Sequence, residues 1–270
     1  MVTRGMSVVV AEVMRFGARR LPRGVAITAV ALAVSGVAIT LAQGSEITFD
    51  TALPATLLWV GQLLVFFSVA LGASALAAEW NSGSLAMLLV FDPNRVRVLL
   101  GKALAAATGC AVVAVVVLAI VTAAVGVGAA ISGTFDADDP ATEPATLVDD
   151  DDELTTDELP EFVLRTVAAC ALAGVLGCAA GALVRRTAGV VAGFLILFMA
   201  GEWAIGSAFR MDHFWGPARS LVAIAVGPID LVSVQEASGP YVLSGIAWTV
   251  GALVAALVWF SRVEVATGPR

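Results

Sequence analysis

The chain is poor in the side chains on which most soluble chemistry depends. It has one histidine, His213, one tyrosine, one lysine and three cysteines, Cys110, Cys170 and Cys178. A lone histidine excludes a His-based metal site or a Ser-His-Asp triad except around that residue. The cysteines all fall inside apolar runs, so they read as small buried apolar side chains and not as a disulfide framework. Charge is scarce as well. Only 14% of residues are Asp, Glu, Lys or Arg, against about 25% in a soluble domain. No G-x-x-x-x-G-K-[ST] phosphate loop is present, and the one Gly-Lys pair, Gly101-Lys102, is followed by Ala103. No nucleotide site or metal is expected in this chain, and no nucleic-acid partner.

What the sequence has is apolar length. It is 59% hydrophobic with a mean hydropathy of +0.94. Its apolar blocks reach the ~18 or more residues needed to cross a hydrocarbon core about 30 Å thick. The expected fold class is therefore all-α, a polytopic membrane protein with residues 1–270 as a single transmembrane domain. Six spans are expected: Gly24–Gln43, Thr56–Ala78, Val96–Ile131, Phe162–Val184, Ala188–Ala208 and Tyr241–Ser261. At helical rise the third would reach about 54 Å and project beyond the bilayer. The start of the chain, with five arginines in 23 residues ahead of a long apolar run, reads as leading into an uncleaved span and not as a signal peptide.

Basic residues set the expected orientation. With the N-terminus in the cytoplasm, the inner segments hold Arg4, Arg15, Arg19, Arg20, Arg23, Arg95, Arg97, Lys102, Arg185, Arg186, Arg262 and Arg270. The outer segments hold only Arg165, Arg210 and Arg219. Both termini are then cytoplasmic, and the expected location is the plasma membrane. An acidic outer loop, 133–161, carries twelve acids and no base from Asp136 to Glu161. It reads either as a cation-attracting vestibule or as a solvated loop, and it lacks the spacing of a calcium site. Residues 7–21 read as an interfacial amphipathic helix, with Glu12, Arg15 and Arg19 on one face and Val9, Val10, Val13 and Phe16 on the other.

The stretch AEWNSGSLAMLLVFDPNRVRVLLGK, Ala78 to Lys102, interrupts the apolar pattern on the expected cytoplasmic side. Ser82 is a candidate cap for a helix that opens with Gly83 and Ser84. The run Leu85–Phe91 gives about two turns, and Asp92-Pro93 ends it. Asn94 is placed to cap the next helix. This short helix, 82–92, carries Leu85, Met87, Leu88, Leu89 and Phe91, more apolar surface than a solvent-exposed loop should show. Lipid, the chain's own interfacial helix or a soluble partner must cover it.

The pattern Glu79-Trp80, Gly83-Ser84, Leu88-Leu89, Asp92-Pro93-Asn94-Arg95, Arg97-Val98 and Lys102 resembles the first cytoplasmic loop of type-2 ABC exporter permeases, most of all actinobacterial ones. A Gly/Ala-rich fourth span, a basic turn and a fifth span with Glu202 near its outer end are similar to that family too. The resemblance implies an N-terminal elbow helix, six spans and a coupling helix docking on a separate soluble ATPase. It implies a coupling set of Glu79, Gly83, Leu85, Met87, Leu88, Phe91, Pro93, Arg95 and Arg97. It also implies ATP and Mg²⁺ held by the ATPase and not by this chain, and because six spans alone seldom enclose a large path, a second permease copy or a sister permease is expected. The long acidic loop departs from compact members, and no family role is carried onto it.

Each of these residues also has a plainer reading. Glu79 reads as a contact to the loop's basic residues or to the ATPase, and beside Trp80 it equally suits a membrane boundary. Arg95, Arg97 and Lys102 suit positive-inside anchoring or anionic lipid as well as a partner. Glu202 is an intramembrane candidate or an inter-helix hydrogen-bonding residue near a span end. Gly174, Gly177 and Gly181 mark close helix packing with an unknown neighbour. The segment His213–Pro240 is apolar but broken by Gly-Pro pairs, and Leu221–Val226 reads as a re-entrant or interfacial helix. Two alternatives to an exporter remain at this level: an ATP-independent secondary transporter, for which intramembrane charge is scarce, and a non-transporting scaffold or sensor using the same loop.

Overall fold

In a computed structural model the described residues are Gly24, Ile27, Val30, Ala31, Val34 and Ser35, then 49–91, 93–132, 159–202, Ala204, Ala208, 216–226 and 240–262. Among them every regular element is helical. The order is α1 (Phe49–Ser82), α2 (Ser84–Phe91), α3 (Arg95–Ser132), α4 (Leu159–Val184), α5 (Thr187–Ile196) running on into a π turn (Leu197–Gly201), α6 (Pro217–Val226) and α7 (Pro240–Arg262).

Four stretches are long and apolar enough to cross a membrane: Thr56–Ser82, Arg95–Val127, Leu159–Val184 and Tyr241–Arg262. They cover the second, third, fourth and sixth expected spans. The expected first span lies outside the described residues except at six positions, all helical. The interfacial helix 7–21 and the acidic loop up to residue 158 lie outside them too. Of the fifth expected span the described residues give the 10 residues of α5 and the 5 of the π turn, about 22 Å at helical rise, while Trp203 and 205–207 lie outside the described residues. Glu202, Ala204 and Ala208 are again helical.

α4 is the central helix and packs on α1, α3, α6 and α7. Small residues make that possible. A Cβ on Gly177 would run into the Val69 carbonyl of α1, and one on Gly181 would come 2.7 Å from the Ala73 carbonyl. On the α3 side, a Cβ on Gly174 would lie 2.8 Å from Cys110 Sγ. The glycine stripe therefore seats α4 against α1 and α3 together, which identifies the neighbours the sequence left open. The three cysteines are free and buried here.

Buried hydroxyls serve their own helices or a neighbour. Ser74 donates to the Leu71 carbonyl at 2.7 Å and Thr249 to that of Gly245 at 2.8 Å. Such local bonds are how hydroxyls are satisfied where water is absent. α3 and α7 turn apolar side chains such as Val112, Val116, Leu243 and Val254 outward.

Candidate functional site

α2 hangs on one end of the bundle between two breaks. Gly83, with φ of 70°, takes the left-handed conformation that ends α1, and its carbonyl accepts the Ala86 N–H at 3.2 Å. Ser82 is thus the last residue of α1 and not the start of the short helix, although its Oγ accepts the Ser84 N–H at 3.5 Å. On the far side, Asn94 Oδ1 accepts the Arg97 N–H at 3.1 Å and caps α3.

The eight residues of α2, SLAMLLVF, divide into two faces. Leu85 is 1% exposed, and Leu88 and Leu89 pack beside it on a cluster containing Leu76, Leu99 and Phe260. Met87, Val90 and Phe91 point away and are 68%, 75% and 80% exposed. Pro93, Asn94 and Arg97 are exposed next to them, and Arg95 is half-buried. Leu85 and Leu88, expected among the coupling residues, therefore face their own bundle. Val90 belongs to the outward face in their place. Every α2 residue but Ser84 is apolar, so periodicity gave no sign of which side would turn inward.

Beneath α2 lies a polar knot. Lys102 Nζ donates to Glu79 Oε1 at 2.7 Å, and both side chains are buried. Glu79 and Lys102 thus hold each other across α1 and α3 and are withdrawn from any docking surface or lipid headgroup. Next along α1, the Trp80 ring lies under the Arg185 guanidinium, 4.4 Å from centroid to Cζ. Its edge geometry with Phe260 of α7 spans 6.1 Å. Arg95 donates to the Phe260 carbonyl at 3.2 Å. The ends of α1, α3 and α7 and the α4–α5 turn therefore meet at one point. Arg185 was missed as more than an anchoring cation. Its φ of 60° is left-handed without the freedom of glycine, and no sequence signal shows that.

At the opposite end Glu202 makes a second constellation. Its Oε1 accepts the Ala218 N–H at 2.6 Å and its Oε2 the Arg219 N–H at 2.8 Å. The carboxylate is thus a cap on the N-terminus of α6, where charge and dipole agree. A Cβ on Gly216 would overlap the Glu202 carboxyl, so a glycine is needed for that approach. α6 itself is buried at Ala218, Ser220, Leu221, Ala223, Ile224, Ala225 and Val226. It lies within the bundle and not along its surface.

Among the described residues no group of three or more His, Cys, Asp or Glu could hold a metal ion. Neither constellation pairs a nucleophile with a base. One offers an apolar docking face with basic neighbours; the other fixes a short helix in place. Comparison with protein-family models finds no family that matches the chain, and comparison with the curated proteins finds no matching relative.

Proposed function

We propose that the chain is the membrane-spanning permease subunit of an ATP-driven exporter of the type-2 ABC class. In this reading it crosses the plasma membrane six times, with Gly24–Gln43 and Ala188–Ala208 as the first and fifth spans, an elbow helix at 7–21 and both termini in the cytoplasm. It pairs with a second copy or a sister permease. α2 is the coupling helix, and a soluble ATPase that carries ATP and Mg²⁺ docks on it. The observation that carries the reading is the outward face of α2. Met87, Val90 and Phe91 lie 68–80% exposed on a helix whose other face is anchored in the bundle, with Arg97 exposed alongside. An apolar face rimmed by charge, on an element clamped at its base, suits a protein partner that pushes on it. The loop motif described above is the second support.

The test is purification of the tagged protein in mild detergent from its own cells, beside a Met87→Asp/Phe91→Asp variant. Both substitutions leave Leu85 and Leu88 in place, so the bundle is expected to survive. A phosphate-loop ATPase should co-purify with the parent and be lost from the variant. If the parent brings down a partner without a phosphate loop, the chain is a scaffold or sensor. If it brings down none, the exporter reading falls.

A further inference from the structure

Two clasps described above sit at opposite ends of α5. The first is Arg185 over Trp80, 4.4 Å from the ring centroid, beside α2. The second is Glu202 on the N-terminus of α6, at 2.6 and 2.8 Å. We propose that α5 with its π turn is a rod that links these ends, so that a displacement at the α2 end moves α6.

The first clasp holds the backbone in a conformation it would not choose. Arg185 keeps its left-handed φ of 60° where an L residue is disfavoured. The compensation is the planar guanidinium stacked on Trp80, whose own residue lies in the last turn of α1, three before the Gly83 break. Any shift of α2 that turns Trp80 therefore acts first on the residue that leads into α5. α5 seats one face on α1, with Val190 and Phe194 buried in the core, and leaves the other face open. Phe66 of α1 meets Phe194 and Phe198 edge-on at 5.4 and 4.9 Å, while Val191, Leu195, Ile196 and Met199 are uncovered. A helical segment held at two points and bare along one side can shift as a unit.

At the other clasp the π turn, Leu197–Gly201, delivers Glu202 to α6. π turns inside helices often mark functional positions. α6 is held in the bundle by three neighbours. The Thr166 hydroxyl donates to the Ala225 carbonyl at 2.8 Å. Val226 lies against Gly61 of α1, and Ile224 against Gly245 of α7. α6 thus sits between α1, α4 and α7, and its N-terminus is held by a residue that α5 carries. The inference concerns only this chain and needs no ATPase, so it stands or falls apart from the exporter reading.

A buried thiol reports on α6. Ser220 is fully buried in α6, and a Ser220→Cys variant in nanodiscs is exposed to a small maleimide. The native thiols, all buried, give the background. Arg185→Gly removes the guanidinium and leaves a residue at ease in the left-handed region. Added to the Ser220→Cys variant, it should raise the labelling rate of the introduced thiol about three- to tenfold, the fold-change that corresponds to a cation–π contact. Trp80→Leu should do the same, and the Arg185→Gly/Trp80→Leu pair should add nothing further, as a shared contact requires. Glu202→Gln, at the second clasp, should raise the rate on its own. The rod is overturned if Glu202→Gln raises labelling and Arg185→Gly does not. It is equally overturned if Arg185→Gly exposes Cys178, fully buried near the α2 end, as fast as the thiol introduced in α6, because that would be general loosening.

Discussion

The residue with most at stake is Lys102. Its ammonium is 2.7 Å from the Glu79 carboxylate with almost no water in reach, and an isolated charge there would be expensive. Lys102→Met leaves the carboxylate buried without that counter-charge and should cost about 3–5 kcal/mol. Replacing both, with Glu79→Leu and Lys102→Met, should recover at least about half of that loss, because a buried pair is often replaceable by apolar residues of similar size. Unfolding in detergent micelles measures this; a double variant as weak as the single one would refute it. Sequence reading offered Glu79 a contact to the loop's basic residues, Arg95, Arg97 or Lys102, but could not say which. Glu79 and Lys102 are 23 positions apart, and pairing across two helices leaves no local pattern. Glu202 was visible for a simpler reason, as a carboxylate in an apolar run. Its partners were not, since they are backbone N–H groups of a helix broken off by glycine and proline.

Among the elements, α1, α3, α4 and α7 were legible because length and apolarity alone define a crossing. α3 begins where Asn94 caps it, and α4 carries the glycine stripe the sequence displayed. The stripe's cost is open to test. Gly177→Ala should destabilise by about 1–3 kcal/mol, since its Cβ would meet the Val69 carbonyl and the helices must part. Gly193→Ala, in α5 with nothing within 4 Å of a Cβ, should be neutral or stabilising by up to ~1 kcal/mol. Melting the two variants side by side in the same detergent decides the matter, and equal effects would show that the α1–α4 contact is looser than its geometry. Two features stayed hidden. An all-apolar α2 has no periodicity from which to read its inward side, and a π turn is a matter of hydrogen-bond register that composition does not record.

For the molecule as a whole, the enclosed faces are rich in small residues and the open ones are lined with large apolar side chains. That is the arrangement expected where lipid is the solvent. Trp248 and Trp259 of α7 are 48% and 47% exposed, whereas Trp80 is covered by Arg185 and Phe260. In single-tryptophan variants reconstituted with brominated lipid, Trp248 fluorescence should be quenched much more than that of Trp80. Equal quenching would contradict the exposed face of α7 as a lipid surface. Protection of Trp248 alone would mark that face as the seat of a second copy.

The buried pair also has a meaning for the chemist who handles the protein. Fourteen of its fifteen basic side chains are arginines, which stay charged at any working pH and do not react with acylating reagents. The one lysine amine is 2% exposed and engaged by a carboxylate. Succinimidyl dyes and amine cross-linkers should therefore find no lysine on the folded bundle, and acylation of Lys102 would signal that α1 and α3 have come apart. The same knot that ties the helix ends makes the chain's only ε-amine a built-in gauge of whether they are still tied.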